Sequence, residues 1–141
     1  MGELVSHNCG LCVAHTLHDA YSFIRALQHR GRDAVGIAAV GVNRIDVVKW
    51  IGTVETVDLV DLHKIMPSSG YHTFLAHVRY ATKGSKDGYL LDAHPQVLGG
   101  RIIDHGNHLI YMNCDAVIVH NGHVEDRFLT ERQVNENSDN Q

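Results

Sequence analysis

The chain lacks most of the features that announce large functional classes. None of its 141 residues falls in an apolar stretch approaching the roughly 20 needed to cross a bilayer. Residues 1–8 have neither the basic start nor the long apolar segment of a secretion signal. Charge is nearly balanced, at −4 with a pI near 6.3, so there is no general attraction to nucleic acid or anionic membranes. Cysteine is scarce: Cys9, Cys12 and Cys114 make an odd number, which argues against a disulfide framework. Cys9 and Cys12 have C-x-x-C spacing, but no second such pair completes a zinc knuckle. The H-x-x-H pairs His15/His18, His105/His108 and His120/His123 lack the H-E-x-x-H form, so no metal is expected and a zinc hydrolase is the outlying alternative. Thr82-Lys83-Gly84-Ser85 has the wrong order for a phosphate-binding Walker loop. Internal repeats and linkers are missing too. What remains is one domain in a reducing, cytoplasmic setting, without a cofactor.

What is present is a dense set of aliphatic runs, with 44% hydrophobic residues. Residues 1–8 read as a leader. Residues 9–14 form a short apolar strand. Residues 18–29 carry Ala20, Phe23, Ile24 and Leu27 three and four apart, which predicts a helix with one inward face. Gly31 then reads as a left-handed helix stop. Residues 35–40 and 45–51 predict a hairpin. Residues 57–66 predict a short helix ended by Pro67-Ser68-Ser69-Gly70. Residues 71–80 predict a strand with Phe74, Ala76 and Val78 on one side. A loop over 83–91 and strands over 97–103, 108–112 and 116–120 complete the pattern. The fold class is α+β, with antiparallel layers and one or two helices. Cys12 and Cys114 read as small buried hydrophobes in strands.

Four stretches stand out from that frame. They are Cys9-Gly10, Leu27-Gln28-His29-Arg30-Gly31-Arg32-Asp33, His77-Val78-Arg79-Tyr80-Ala81-Thr82 and His120-Asn121-Gly122. Each has a bland explanation: a buried strand cysteine, a helix terminus, an arginine at a strand end, and an Asn-Gly hairpin turn. Together and in this order they resemble the glutaminase domain of class II glutamine amidotransferases. The Val-Arg-Tyr form is most similar to the amidophosphoribosyltransferase branch, which serves purine synthesis. The string from Gln28 to Ala38 is the most specific part of the match. Ala93-His94-Pro95-Gln96 and His123-Val124 depart from it, and loss of an aromatic at Gln96 is expected to loosen packing beside the substrate pocket.

The resemblance implies an N-terminal-nucleophile αββα sandwich over residues 9–141, C-terminally incomplete, with residues 1–8 as a propeptide. It implies Cys9 as nucleophile, with its own α-amine as base once the leader is removed. An amine of pKa about 7.7–8.0 lies close to a thiol of about 8.5, so proton transfer between them is easy. Asn121 and Gly122 would form the oxyanion hole. Arg79 would take the glutamine α-carboxylate and Asp139 its ammonium, while Arg30 and Gly31 would hold the nucleophile's terminus. Glutamine is the implied substrate, and a phosphoribosyltransferase domain or partner chain the implied acceptor; no phosphoribosyl-pyrophosphate loop is visible. A homo-oligomer is compatible with this scheme. The alternative is an unprocessed or diverged binding module on the same fold.

Overall fold

The computed structural model describes residues 9–80 and 89–120. Residues 1–8, Asn121, Gly122 and Asp139 lie outside them. The described residues hold strands β1 (Gly10–Ala14), β2 (Ala34–Val40), β3 (Ile45–Ile51), β4 (Thr73–Arg79), β5 (Gln96–Leu98), β6 (Arg101–Asp104), β7 (His108–Met112) and β8 (Ala116–Ile118). Helices are α1 (Leu17–Ala26), α2 (Leu59–Ile65) and the single turn α3 (Tyr89–Asp92).

Six strands make one antiparallel sheet in the order β1-β4-β2-β3-β7-β6, and β5 pairs with β8 in a second, two-stranded sheet. Side chains alternate across a strand, so each central strand serves two faces. Val35, Ile37 and Ala39 of β2, Val48 and Trp50 of β3, and Phe74, Ala76 and Val78 of β4 join one core with α1 and α2. Ala38, Val47, Leu109 and Tyr111 join Leu90 and Cys114 in a second core on the opposite face, with Val97 and Val117 packed against it. Coverage on both sides is why β2 reads as continuously apolar.

Thr16 starts α1: its hydroxyl accepts the Asp19 N–H at 3.1 Å, satisfying a donor that the helix leaves open. The buried stripe is Leu17, Ala20, Tyr21 and Ile24. Each large member contributes roughly 1.5–3 kcal/mol of burial. Phe23, expected inside, is 51% exposed; Tyr21 takes its place and donates its hydroxyl to the Val57 carbonyl at 2.9 Å. The expected strand over 97–103 is instead two strands. Gly99 and Gly100 both adopt positive φ (70° and 88°) and turn the chain from the small sheet into the large one. The end of the expected loop over 83–91 is the start of α3. Cys114 lies in the turn before β8, not in a strand. Asp46, 2% exposed, ties this end of the molecule together. It accepts from Arg44 at 2.6 Å, from the Tyr71 hydroxyl, and from the Asn113 N–H at 2.9 Å. Burial alone would raise its carboxyl, but those three donors outweigh it and hold the pKa below the ordinary value.

Candidate active site

The register between β1 and β4 places Gly10 opposite Val78, so Cys9 arrives beside Arg79. Gly10 and Cys12 share a face with Val78 and Ala76, toward the helices. Cys9 therefore belongs to the other face, with His77 and Arg79. The C-x-x-C pair is split across the sheet. Cys12 turns its thiol toward the Ala20 carbonyl at 3.7 Å, and burial pushes that thiol up to about 11. Cys9 is 1% exposed, and its sulfur accepts the Tyr80 backbone N–H at 3.4 Å. Burial raises its pKa; the Tyr80 backbone hydrogen bond and then the Arg79 charge offset part of that rise.

Two glycines permit close packing in the chain beside Cys9. A Cβ on Gly10 would sit 2.9 Å from Val78 Cγ2 and 3.0 Å from Leu27 Cβ. Gly31 is extended (φ −171°, ψ 138°), not left-handed as expected from a helix stop. Its glycine is required for another reason: a Cβ there would lie 2.5 Å from the Arg79 carbonyl carbon and 2.6 Å from its oxygen. The Asp33 N–H donates to that same oxygen at 3.0 Å. Arg30 reaches back, its Nε donating to the Cys9 carbonyl at 3.3 Å. Gln28 locks the turn, donating to the Gly31 carbonyl at 2.5 Å and accepting the Val54 N–H at 2.6 Å. The sequence string Gln28-His29-Arg30-Gly31 is thus a clamp on the ends of β1 and β4.

Arg79 is wholly buried, with Nη2 4.0 Å from an Asp92 carboxylate oxygen. Two residues earlier on the same face, His77 stacks on His94 with ring centroids 4.6 Å apart. His94 in turn meets His120 edge-on at 4.7 Å. The His94 Nδ1 accepts the His120 backbone N–H at 3.3 Å. Burial is the main force on all three rings. It drives His77 down to about 3, with the charges of neighbouring His120, Arg79 and Lys49 adding to it, and it lowers His94 and His120 as well. Lys49, 1% exposed, sends Nζ to the Leu91 carbonyl at 3.4 Å and lies 5.0 Å over the Tyr111 ring. It lines a cleft of about 210 Å³ with Leu91, Gln96, Gly99 and Tyr111, apart from Cys9 and Arg79.

The described candidates Cys9, Arg30, Gly31 and Arg79 therefore come together at one end of β1 and β4. Asn121, Gly122 and Asp139 lie outside the described residues, although His120, next to Asn121, is drawn to the cluster through His94. Sequence reasoning gave no role to Asp92, nor to His77, His94 and Gly36, although these three stand in strings it noted. His77 was legible, since it sits two residues before Arg79 in a strand and must share its face. His94 stood in a motif noted only for departing from the family pattern. Gln96, expected to leave loose packing, is half-buried and donates to the Asp92 carbonyl at 2.8 Å. Among the described residues no group of His, Cys, Asp or Glu is arranged to hold a metal ion, and no helix is long and apolar enough to cross a membrane.

No protein-family model matches the chain. Three curated proteins do. A 76-residue stretch is 41% identical to the glutamine–fructose-6-phosphate aminotransferase of Sulfolobus acidocaldarius, covering 54% of this chain and 12% of that protein. A 104-residue stretch is 34% identical to the enzyme of the same name from Sulfurisphaera tokodaii, covering 74% and 15%. A 106-residue stretch is 32% identical to the chloroplastic amidophosphoribosyltransferase of Vigna aconitifolia, covering 72% and 21%. The chain thus spans about a fifth or less of the length of these relatives. Both names are those of class II glutamine amidotransferases.

Proposed function

We infer, from a chain whose homologues are class II glutamine amidotransferases, that residues 9–141 form a glutaminase domain converting glutamine and water to glutamate and ammonia. The observation that carries this is the placement of the Cys9 thiol on the face and at the end of the sheet where Arg79 lies. The Arg30-Gly31 clamp holds both backbones there. The layers of helix, large sheet and small sheet fit the start of an αββα sandwich.

A thiol raised by burial is mostly protonated at neutral pH and needs a base close by. With residues 1–8 removed, the α-amine of Cys9 is that base. It takes the thiol proton as sulfur attacks the side-chain amide carbon of glutamine. The tetrahedral oxyanion is held by the Asn121 side-chain amide and the Gly122 N–H. The C–N bond then breaks, the ammonium returns the proton to the leaving nitrogen, and ammonia departs from a γ-glutamyl thioester. Water, deprotonated by the same amine, cleaves the thioester and frees glutamate and thiol. Arg79 fits the α-carboxylate bidentately and Asp139 the α-ammonium. Arg30 and Gly31 keep the Cys9 terminus in place. While Asn8 is bonded to Cys9 that nitrogen is an amide and no base, so the leader acts as a propeptide. The ammonia would pass to an acceptor domain or partner chain, phosphoribosyl or sugar phosphate by analogy with the relatives' names.

The test is intact-mass analysis after exposure to a glutamine-like electrophile, alongside ammonia release from glutamine. A species starting at Cys9 should be labelled once and Cys9→Ala not at all. Turnover by chains that retain residues 1–8 would overturn the amine mechanism. The deep burial of Cys9 favours the rival, a non-catalytic module on the same fold; absence of label and ammonia from the Cys9-starting species would establish it.

A further inference from the structure

We propose, resting on the glutaminase function above, that Asp92 is a positioning residue for Arg79, and through it sets how strongly the site selects substrates that carry an α-carboxylate. Arg79 is wholly buried at the end of β4, with Nη2 4.0 Å from an Asp92 carboxylate oxygen. A guanidinium taken out of water is stabilised by negative charge beside it. The separation exceeds the roughly 2.7–2.9 Å of a charge-assisted hydrogen bond, so Asp92 attracts and orients the guanidinium without closing a bidentate fork on it. The fork is what a substrate carboxylate offers. An arginine already oriented when glutamine arrives also lowers the ordering cost of binding.

The chain fixes Asp92 on both sides. The Leu91 carbonyl before it accepts from Lys49 Nζ at 3.4 Å, and its own carbonyl accepts from Gln96 Nε2 at 2.8 Å. Two residues further on, the His94 ring stacks on His77 at 4.6 Å, and the His94 carbonyl lies directly over Gly36. His77 belongs to β4, two residues before Arg79 and on the same face. The segment that carries Asp92 is therefore anchored to the strand that carries Arg79, and the two charges keep their relation as a unit.

The experiment uses the Cys9-starting protein. Asp92→Asn keeps the shape of the side chain and removes its charge, and the 31% exposure of Asp92 lets the fold accept the amide. KM for glutamine should rise about tenfold with kcat within about twofold, because the loss is in binding and not in bond breaking. γ-Aminobutyramide, which is glutamine without its α-carboxylate, reads the selection: its own kcat/KM should stay within about twofold, so the preference for glutamine falls about tenfold. In an Arg79→Lys background no planar fork remains to orient, and Asp92→Asn should move KM by no more than about twofold further. An unchanged KM in Asp92→Asn, equal losses for glutamine and γ-aminobutyramide, or the whole effect retained in the Arg79→Lys background each overturns the inference. Should γ-aminobutyramide turn over too slowly to measure, the Arg79→Lys comparison decides. Should Asp92→Asn not fold, Asp92→Ser, smaller and uncharged, is read in the same way. A wild type that releases no ammonia removes the glutaminase function and the inference together; an active wild type whose KM Asp92→Asn leaves unchanged removes the inference alone.

Discussion

Gly36 is the place where a single methyl group should cost both stability and activity. It lies in the middle of β2, paired with Lys49 on one side and His77 on the other. A Cβ there would fall 1.9 Å from the His94 carbonyl oxygen, 2.7 Å from Pro95 Cδ and 2.8 Å from the His94 carbonyl carbon. All three atoms belong to one peptide unit, so no flexible side-chain end can swing aside. Strand β2 is held by both neighbours, and the His94-Pro95 segment must retreat by about 1.5 Å to reach ordinary contact. Overpacking of this kind typically costs about 1–3 kcal/mol. For a domain of this length that is a fall in Tm of about 3–10 °C. The same retreat lengthens the His120 N–H contact to His94, already 3.3 Å, beyond hydrogen-bond range. The moving segment also carries Asp92, whose carboxylate lies 4.0 Å from Arg79 Nη2, so KM for glutamine should rise by about tenfold. Thermal denaturation followed by circular dichroism reads the first effect, and ammonia release from glutamine reads the second. Gly70→Ala is the control, since its Cβ would meet nothing within 4 Å; it should stay within about 0.5 kcal/mol of wild type. If Gly36→Ala melts and turns over like the Gly70→Ala control, the close approach of the two layers is wrong, and with it the placement of His94.

Three further outcomes follow from the same geometry. A buried neutral histidine lowered to about 3 binds fewer protons than its unfolded form, whose pKa is about 6.5. Its contribution is complete above that unfolded value and is lost as pH falls from about 6.5 toward 3; a Tm unchanged between pH 7 and pH 4.5 would show that the His77 ring is not so buried. Asp46 has the usual carboxylate sign: its lowered pKa adds stability above about 3.9 that fades as pH falls through the folded value. Asp46→Ala should strand the Tyr71 hydroxyl and the Asn113 N–H, cost about 3 kcal/mol near neutrality by urea denaturation, and flatten the acid limb below pH 4. Arg79→Lys keeps the charge but loses the fork, so KM for glutamine should rise about 10–100-fold with kcat changed far less; an unaltered KM would remove Arg79 from substrate recognition.

Much of the fold was legible because local rules were enough. Alternation and β-branched runs located β2, β3, β4 and β7 almost to the residue, and placed Phe74, Ala76 and Val78 on one face as observed. The failures arose where tertiary contact overrode local pattern. Phe23 fits the helical period as well as Tyr21 does, but Tyr21 is the one that faces the 3₁₀ segment at Val54–Thr56, where the Val54 and Val57 carbonyls accept its hydroxyl. The split between β5 and β6 was written in Gly99-Gly100, yet an apolar count over 97–103 averages across two glycines. Gly31 illustrates the limit most sharply. Its position after a helix suggests a left-handed stop, while its cause is the Arg79 backbone, 48 residues away in sequence and 2.5 Å from a would-be Cβ.

The candidate site divides along the same line. Cys9, Arg30, Gly31 and Arg79 could be picked out because each sits in a short string, and the sheet register then explains why separate strings belong together. Alternation puts His77 on the face of Arg79, but the chemistry of His77 and His94 could not be read from sequence, because a histidine's chemistry is decided by what surrounds it. Among twelve histidines, composition favours solvated or scattered ones. What distinguishes these two is desolvation on the second sheet face, beside Lys49 and Arg79. Three small residues of β2 on that face, Ala34, Gly36 and Ala38, create the space. A string such as Gln28 to Ala38 therefore carries two kinds of information at once. Its first half clamps the strand that Cys9 leads into, and its second half is small on alternate positions so that the layer bearing His94 can descend onto the sheet. Resemblance detects both halves as one motif. Only the close contacts at Gly31 and Gly36 separate the part that holds the thiol from the part that admits its neighbours.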